Sequence, residues 1–352
     1  MTSETAALLI ETATRIFDDL LTDDAIRQSR RGLIPERPWA AIEEAGLPLA
    51  LIAEKDGGFG IDPFEALALV RLGGRYGAPV PLGETLVARW LAAGAGMEID
   101  GPATFAAIPA SCALTRSAEG WYLKGTAPAV PWGGQAATVV ILIGESVILA
   151  DPSGAAIEAV AGIGDLPRAT LRFDQRIADD RVGSLAGHDE RTVERVGATL
   201  RVLEIAGALE TLVAMTVRYA TERVQFDRPL AKQQAIQQQI ALMATHAAAA
   251  SAAADMAARA FGGTGSPAAI AVAKTRAGEA AGIAAAITHQ VHGAIGFTEE
   301  HRLHFFTKAL WAWRDEYGSE RRWSEQLGNR LLDLGADEFW PFITTLSQGA
   351  AE

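Results

Sequence analysis

The chain has 352 residues, 49% of them hydrophobic, and its 43 acidic against 31 basic side chains give a formal net charge of −12. That balance excludes a reader of nucleic-acid phosphates, whose affinity comes from clustered cations, and a single cysteine, Cys112, excludes an internal disulfide or a multi-thiolate metal site. The start Met1-Thr2-Ser3-Glu4 lacks a signal peptide's basic and apolar regions and no long apolar run follows, so the expected protein is soluble, cytoplasmic and not inserted in a membrane.

Residues 1–100 read as a helical domain. Leu8, Leu9, Ala13, Ile16, Phe17, Leu20 and Leu21 recur at three- and four-residue steps, which sets one apolar stripe on a helix. Pro35 and Pro38 punctuate the chain, and Trp39, Ile42 and Ala45 begin a second stripe that ends at Gly46. The run Gly57-Gly58-Phe59-Gly60 reads as a connector, because a phosphate-cradling loop needs a preceding strand and a following Lys-Ser/Thr. A third stripe, Phe64, Leu67, Val70 and Leu72, precedes the extended break Ala78-Pro79-Val80-Pro81.

Between 101 and 190 the texture changes to short runs rich in β-branched residues, Trp121-Tyr122-Leu123, Thr138-Val139-Val140-Ile141-Leu142-Ile143 and Ser146-Val147-Ile148-Leu149. Separated by Gly, Pro and Asp, they predict a β-barrel-like middle domain. From 191 to 352 the pattern is helical again, with long segments near 195–225, 231–260, 266–294 and 300–347 forming a C-terminal four-helix bundle. Gly262-Gly263-Thr264-Gly265-Ser266-Pro267 separates the middle pair. The expected fold class is mixed, mainly α.

The most specific string is Tyr219-Ala220-Thr221-Glu222-Arg223-Val224-Gln225-Phe226-Asp227-Arg228-Pro229-Leu230. An always-charged planar fork beside an amide donor at a chain reversal suits the oxygens of a pyrophosphate. The alternative is an ordinary helix C-terminus, where an Arg favours the dipole. A second string is Gln290-Val291-His292-Gly293-Ala294-Ile295-Gly296-Phe297-Thr298-Glu299-Glu300-His301.

Together with the order of helical, β and helical parts, these strings resemble the acyl-CoA dehydrogenase family, in its Tyr-Ala-x-x-Arg-x-Gln-Phe-Gly-x-Pro-Leu and Gln-x-His-Gly-Gly-x-Gly-Phe-Thr-x-Glu patterns. Leu47 to Gly60 and Gly120-Trp121-Tyr122-Leu123-Lys124-Gly125 extend the likeness over nearly the whole chain. The resemblance implies α,β-dehydrogenation of an acyl-CoA thioester: a carboxylate takes the α proton and the β hydrogen leaves as hydride to FAD. It implies FAD shared across a dimer interface and an electron-transfer protein as acceptor. Carried over by position, Arg223, Gln225 and Phe226 match the neighbour-side FAD motif, Gln233 and Gln234 a further nucleotide contact, and Gln290, Gly293 and Ala294 the turn beside the pyrophosphate. Ser319 keeps a hydroxyl expected at the adenosine part.

The departures shape the functional expectation. Asp227 and Ala294 stand where the family has Gly. In the β domain, Ala107-Ile108-Pro109-Ala110-Ser111-Cys112 and Ala129-Val130-Pro131 replace the family's flavin-ring segments, removing the expected aromatic wall and hydroxyl. Neither base position holds a carboxylate: Tyr317 occupies one, and the other, on the first C-terminal helix, falls near Gly197. Glu316, one residue out of register, is the candidate base in this chain, against the commoner reading of a helix-end carboxylate. The pattern resembles one half of the heteromeric bacterial dehydrogenases that act on bulky CoA thioesters such as steroid side chains. That implies FAD as cofactor and a homologous partner in an α2β2 assembly. The alternatives are a self-sufficient homo-oligomer using Glu316, and a silent scaffold.

His301 and His304, one turn apart, raise a metal reading, but no third ligand has diagnostic spacing, and no metal is expected. Trp311, Trp313 and Trp323 either line a bulky-substrate cavity or pack in the core. The apolar end segment, with Leu331, Leu332, Phe339, Trp340 and Phe342, is an expected interface.

Overall fold

The computed structural model describes residues 3–29, 32–108, 112–164, 166–263 and 266–346. Pro109, Ala110 and Ser111 of the expected flavin-ring segment, Thr264 and Gly265 of the glycine-rich break, and position 347 of the last expected helix lie outside the described residues. Two compact units emerge, Met1–Leu69 with Ala78–Val196, and Val70–Gly77 with Gly197–Glu352.

The first unit begins with helix α1 (Glu4–Leu20), capped by Ser3, whose hydroxyl accepts from the Ala6 N–H at 3.2 Å. Ala6, Leu9, Ala13 and Phe17 form its buried stripe, while Leu8, counted in the expected stripe, faces solvent. Helix α2 (Asp23–Ser29) and helix α3 (Glu36–Glu44) follow, the latter burying Pro38, Trp39 and Ile42. Gly57 stands at a φ of 85° and closes a single 3-10 turn, so the glycine run is a reversal between elements. The third expected stripe is two helices, α4 (Pro63–Ala66), started by an Asp62 cap, and α5 (Ala68–Tyr76). Helix α6 (Leu82–Gly94) is buried almost all round, and its Arg89 is neutralised by Glu43 at 2.9 Å.

The strands form two four-stranded sheets. One has the order β1 (Ala103–Ala106), β4 (Thr138–Ile143), β5 (Ser146–Ala150), β8 (Val182–Ser184), and β1 runs parallel to β4 with Ala103 opposite Thr138. The other has the order β2 (Ala113–Ser117), β3 (Gly120–Pro131), β7 (Arg168–Ile177), β6 (Ala155–Ala159), all antiparallel. Val139, Ile141, Ile148 and Ala150 of the first sheet share one buried cluster with Leu123, Ala127, Leu171 and Phe173 of the second. Val140 and Leu142, on the opposite face of β4, are buried as well, and helix α6 packs on β1, β4 and β5, so both faces of β4 are covered and it reads as a continuous apolar run rather than an alternating one.

The second unit is built on helix α7 (Glu190–Glu222) from Gly197 onward. A hairpin of β9 (Val224–Gln225) and β10 (Arg228–Pro229) leads to α8 (Gln234–Arg259) and α9 (Pro267–His292). Helix α9 is the hub, packing on α8, on α10 (Leu303–Asp315) and on α11 (Glu320–Leu334). Ala269, Ala273, Ala277, Ala280 and Ala284 bury its alanine stripe, which lets helix backbones approach closely. The expected helix over 300–347 is corrected to three, α10, α11 and α12 (Ala336–Leu346), because Tyr317, Gly318 and Gly335 take left-handed backbone at φ 53°, 97° and 80°. Helix α5 belongs to this unit: Arg71 reaches Glu210 at 2.5 Å and Asp255 at 3.0 Å, and a side chain at Gly207 would strike the Arg71 carbonyl.

Candidate active site

The end of α7 sets the first group of residues. The Arg223 N–H donates to the Tyr219 carbonyl at 2.8 Å, and β9 and β10 then pair around a two-residue loop, Phe226-Asp227. Both loop residues have positive φ, 53° and 61°, the type I′ geometry that matches strand twist. Asp tolerates that region, which is the physical reason Asp227 can stand where the resembled pattern has Gly. Phe226 is held there at a cost and is 89% exposed. The side chains of Arg223 and Gln225 are exposed and, among the described residues, make no hydrogen bond or ion pair. Gln233 occupies the cap of α8 without a side-chain cap bond, and the exposed Gln234 is its first residue.

The C-terminus of α9 lies beside this turn. His292, buried, stacks on the Tyr219 ring with centroids 4.4 Å apart, and the Tyr219 hydroxyl donates to the His292 carbonyl at 3.2 Å. These contacts bring Gln290, Gly293 and Ala294 to the same end of the bundle as Arg223. Gly293, at φ 62° and ψ −141°, takes a backbone reserved for glycine, and the space a Cβ would enter is open. Ala294 has no positive φ, so alanine fits there. Exposed, uncommitted Arg223, Gln225 and Gln290 beside this open backbone fit the pyrophosphate of FAD.

The histidines near this turn are pinned rather than poised for a metal. His292 Nδ1 donates to the Thr288 carbonyl at 2.8 Å, His289 bonds Thr307 at 2.9 Å, and His304 Nδ1 meets the His301 carbonyl at 2.7 Å. Burial holds His289, His292 and His301 below the usual imidazole range, so they are neutral at pH 7. Among the described residues no three His, Cys, Asp or Glu side chains converge on one point.

The second group sits at the other end of α7. Glu316 follows the last turn of α10 and its carboxylate pairs with Arg201, which also holds Glu204; the Arg201 side chain is 2% exposed and that of Glu316 10%. Glu316 is therefore no exposed loop acid: its charge is engaged by a buried guanidinium. The two positions expected to carry a base converge, because the Tyr317 ring lies on Gly197 so closely that a Cβ there would overlap its Cγ, Cδ1 and Cε1 atoms. Trp323 Nε1 donates to the Tyr317 carbonyl at 2.9 Å and fixes the turn. Ser319 starts α11 at the cap position without a side-chain cap bond.

Gly197 and Tyr219 are 22 residues apart on one helix, about 33 Å at 1.5 Å per residue. Within a protomer, Glu316 and Ser319 are thus remote from Arg223, Gln225, Gln290 and Gly293.

Sequence reasoning missed the buried charges behind Glu316. Lys274, fully buried on α9, donates to the carbonyls of Trp313 and Arg314 at 3.0 and 2.7 Å and so holds the end of α10. Burial pushes its ammonium down to about 7, opposed by the nearby Glu316, Glu320 and Asp315 and assisted by Arg201. Arg314 holds the Glu320 carboxyl below the usual carboxylate range. The available signal was a lone cation in each of two apolar stripes, Arg201 within Gly197-Ala198-Thr199-Leu200-Arg201-Val202-Leu203 and Lys274 within the alanines of α9. Trp313 and Trp323 are core residues, while Trp311 is exposed under the Arg314 guanidinium, 5.2 Å from its ring.

In the first unit, Ala129 lies at a bulge of β3 with φ 49°, and Pro131 accepts from Thr104 at 2.7 Å. Trp132 follows, buried, with its N–H on the Pro167 carbonyl at 2.8 Å. The aromatic residue that directly follows the expected flavin-ring positions is thus turned inward.

A family model described as acyl-CoA dehydrogenase, C-terminal domain, matches residues 192–327. Acyl-CoA dehydrogenase IpdE2 of Mycobacterium tuberculosis is 31% identical over 286 residues, covering 78% of this chain and 80% of that protein. A variant of the Tcur3481-Tcur3483 steroid ACAD is 26% identical with a TM-score of 0.81, covering 93% of this chain and 97% of that one. The ChsE4-ChsE5 complex from Mycobacterium tuberculosis contains a chain of the same fold, at 22% identity and a TM-score of 0.82, covering 96% of this chain and 99% of that one. The chain belongs to the acyl-CoA dehydrogenases, oxidoreductases that act on acyl-CoA.

Proposed function

We propose that this chain is one subunit of a heteromeric acyl-CoA dehydrogenase that acts on a bulky, steroid-type acyl-CoA thioester, with FAD held between it and a homologous partner in a cytoplasmic α2β2 assembly. The observation that carries the reading is the separation along α7: the pyrophosphate-type donors stand at one end, and the base positions at the other hold no available carboxylate. Bound FAD supplies the hydride acceptor of α,β-dehydrogenation, and an electron-transfer protein reoxidises it. This chain's part is binding. Arg223 presents a planar fork to phosphate oxygens, Gln225 and Gln290 add amide donors, and Gly293 leaves room for close approach. Glu316 serves as the counter-ion of Arg201, and the α proton goes to a base of the partner.

Surface chemistry supports a partner. Helix α8 is long and apolar enough to cross a membrane by length and composition, and only 28% of that window is buried within the protomer. Its apolar character comes from alanine, and a second protein surface covers such a face as well as a lipid would. Phe226, Leu332 and Trp340 are exposed as well. The likeness to the Tcur3481-Tcur3483 steroid ACAD supports both the two-chain assembly and the steroid-type acyl group.

The test is colour. Yellow flavin absorbance is expected to stay with the protein through purification only after co-expression with the partner. In the complex, Arg223→Ala removes a charge-assisted contact of about 1.5–3 kcal/mol and weakens FAD retention roughly 10- to 100-fold, read by flavin release on dilution. A chain that is yellow alone, or unchanged flavin retention in Arg223→Ala, overturns the reading.

A further inference from the structure

We propose that Tyr317 is a plug which closes this chain's own acyl position to CoA thioesters, an assignment that rests on the shared-site reading and makes the partner's position the one that takes substrate. The two places where a base is expected are not merely lacking carboxylates; they are packed against each other. The Tyr317 ring occupies the space beside Gly197 so completely that even a methyl group on α7 would overlap it. A thioester α-carbon needs room between the base and the flavin, and here a phenol ring fills the base end.

The ring is fastened from several sides. Its residue has a φ of 53°, a conformation that a bulky side chain keeps only where its surroundings enforce it. The Tyr317 carbonyl accepts from Trp323 Nε1 at 2.9 Å, and Gly318 at φ 97° passes so near that indole that a side chain would collide with it. The ring packs on the cluster of Ala198, Ile270 and Trp323, its hydroxyl is buried, and the Arg201 guanidinium stands over it at 5.7 Å. Arg201 in turn anchors the preceding Glu316, so the turn is gripped before and after the ring. Swinging the plug out would break these contacts together, which distinguishes it from a mobile gate.

The experiment uses the complex captured through a tag on this chain and S-butyl coenzyme A, a thioether that resists dehydrogenation, as the probe in equilibrium dialysis. Tyr317→Ala is expected to double the probe bound per complex relative to wild type, by adding this chain's position to the partner's, whereas Tyr317→Phe keeps the ring and stays at the wild-type value. No gain in Tyr317→Ala overturns the plug. Thermal midpoints give a second readout: Gly197→Ala lowers the midpoint in the wild-type background and is tolerated in the Tyr317→Ala background. Additive shifts overturn the proposed fit even where Tyr317→Ala binds poorly. Failure of the shared-site reading shows separately, as FAD bound by this chain alone.

Discussion

Replacement of Arg201 by Met is expected to destabilise the second unit by about 3–5 kcal/mol, the loss typical when one partner is removed from a buried ion pair. The guanidinium is engaged by both Glu204 and Glu316, whose side chains are 15% and 10% exposed, so its removal leaves two carboxylates close together with little solvent. The thermal midpoint of the variant should fall by roughly 10 °C. Neutralising the orphan should restore part of the loss: Arg201→Met with Glu316→Gln is expected to be more stable than Arg201→Met alone. If the double variant is no better, Glu316 is not the counter-ion, and its role as a base returns to consideration. The single variant also removes a cation near Lys274, which should move that ammonium back toward its ordinary value.

Stability is expected to rise by about 2 kcal/mol between pH 7 and 9 because of Lys274. Burial pushes its ammonium down to about 7 in the fold, whereas the unfolded chain keeps that proton to about pH 10.4. Between those values the unfolded state binds more protons, so stability increases with pH. The penalty is fully present below pH 7 and is relieved as the pH rises. Cys112, whose thiol burial pushes up, works in the opposite direction once the unfolded thiol ionises, so the comparison is confined to pH 9 and below. Urea midpoints of wild type and Lys274→Met at pH 7, 8 and 9 give the slope directly. Met leaves the Trp313 and Arg314 carbonyls without their donor and lowers absolute stability, but it has no proton to lose; a wild-type slope in the variant would remove Lys274 as the cause.

Much of this fold is written in periodicity. The alanine stripe of α9 and the β-branched runs of β4 and β5 carry their own spacing, and each forms the expected element because local preference and burial agree. The last helix failed for a local reason. Apolar spacing continues on both sides of Tyr317-Gly318 and of Gly335, and a single glycine within a helical pattern does not announce that its φ will be positive. The Arg223 turn was legible because all its parts are consecutive, and the type I′ loop explains even its departure at Asp227. The fit of Tyr317 on Gly197 and the pairing of Glu316 with Arg201 join residues more than a hundred positions apart. No local rule reports such pairs, so a spacing argument could find the altered base positions but not what fills them.

The sequence order of α5 has a consequence for dissecting the protein. Residues 70–77 are grouped with the second unit although the strands lie between them and the rest of it. A fragment beginning near residue 190 would therefore be missing a piece of its own interior. Without Arg71, the carboxylates of Glu210 and Asp255 lose their shared cation, and the furrow along Gly207 that admits the α5 backbone stands empty. The C-terminal bundle should thus resist excision as an autonomous module, and a peptide spanning α5, supplied in trans, should act as its missing stave.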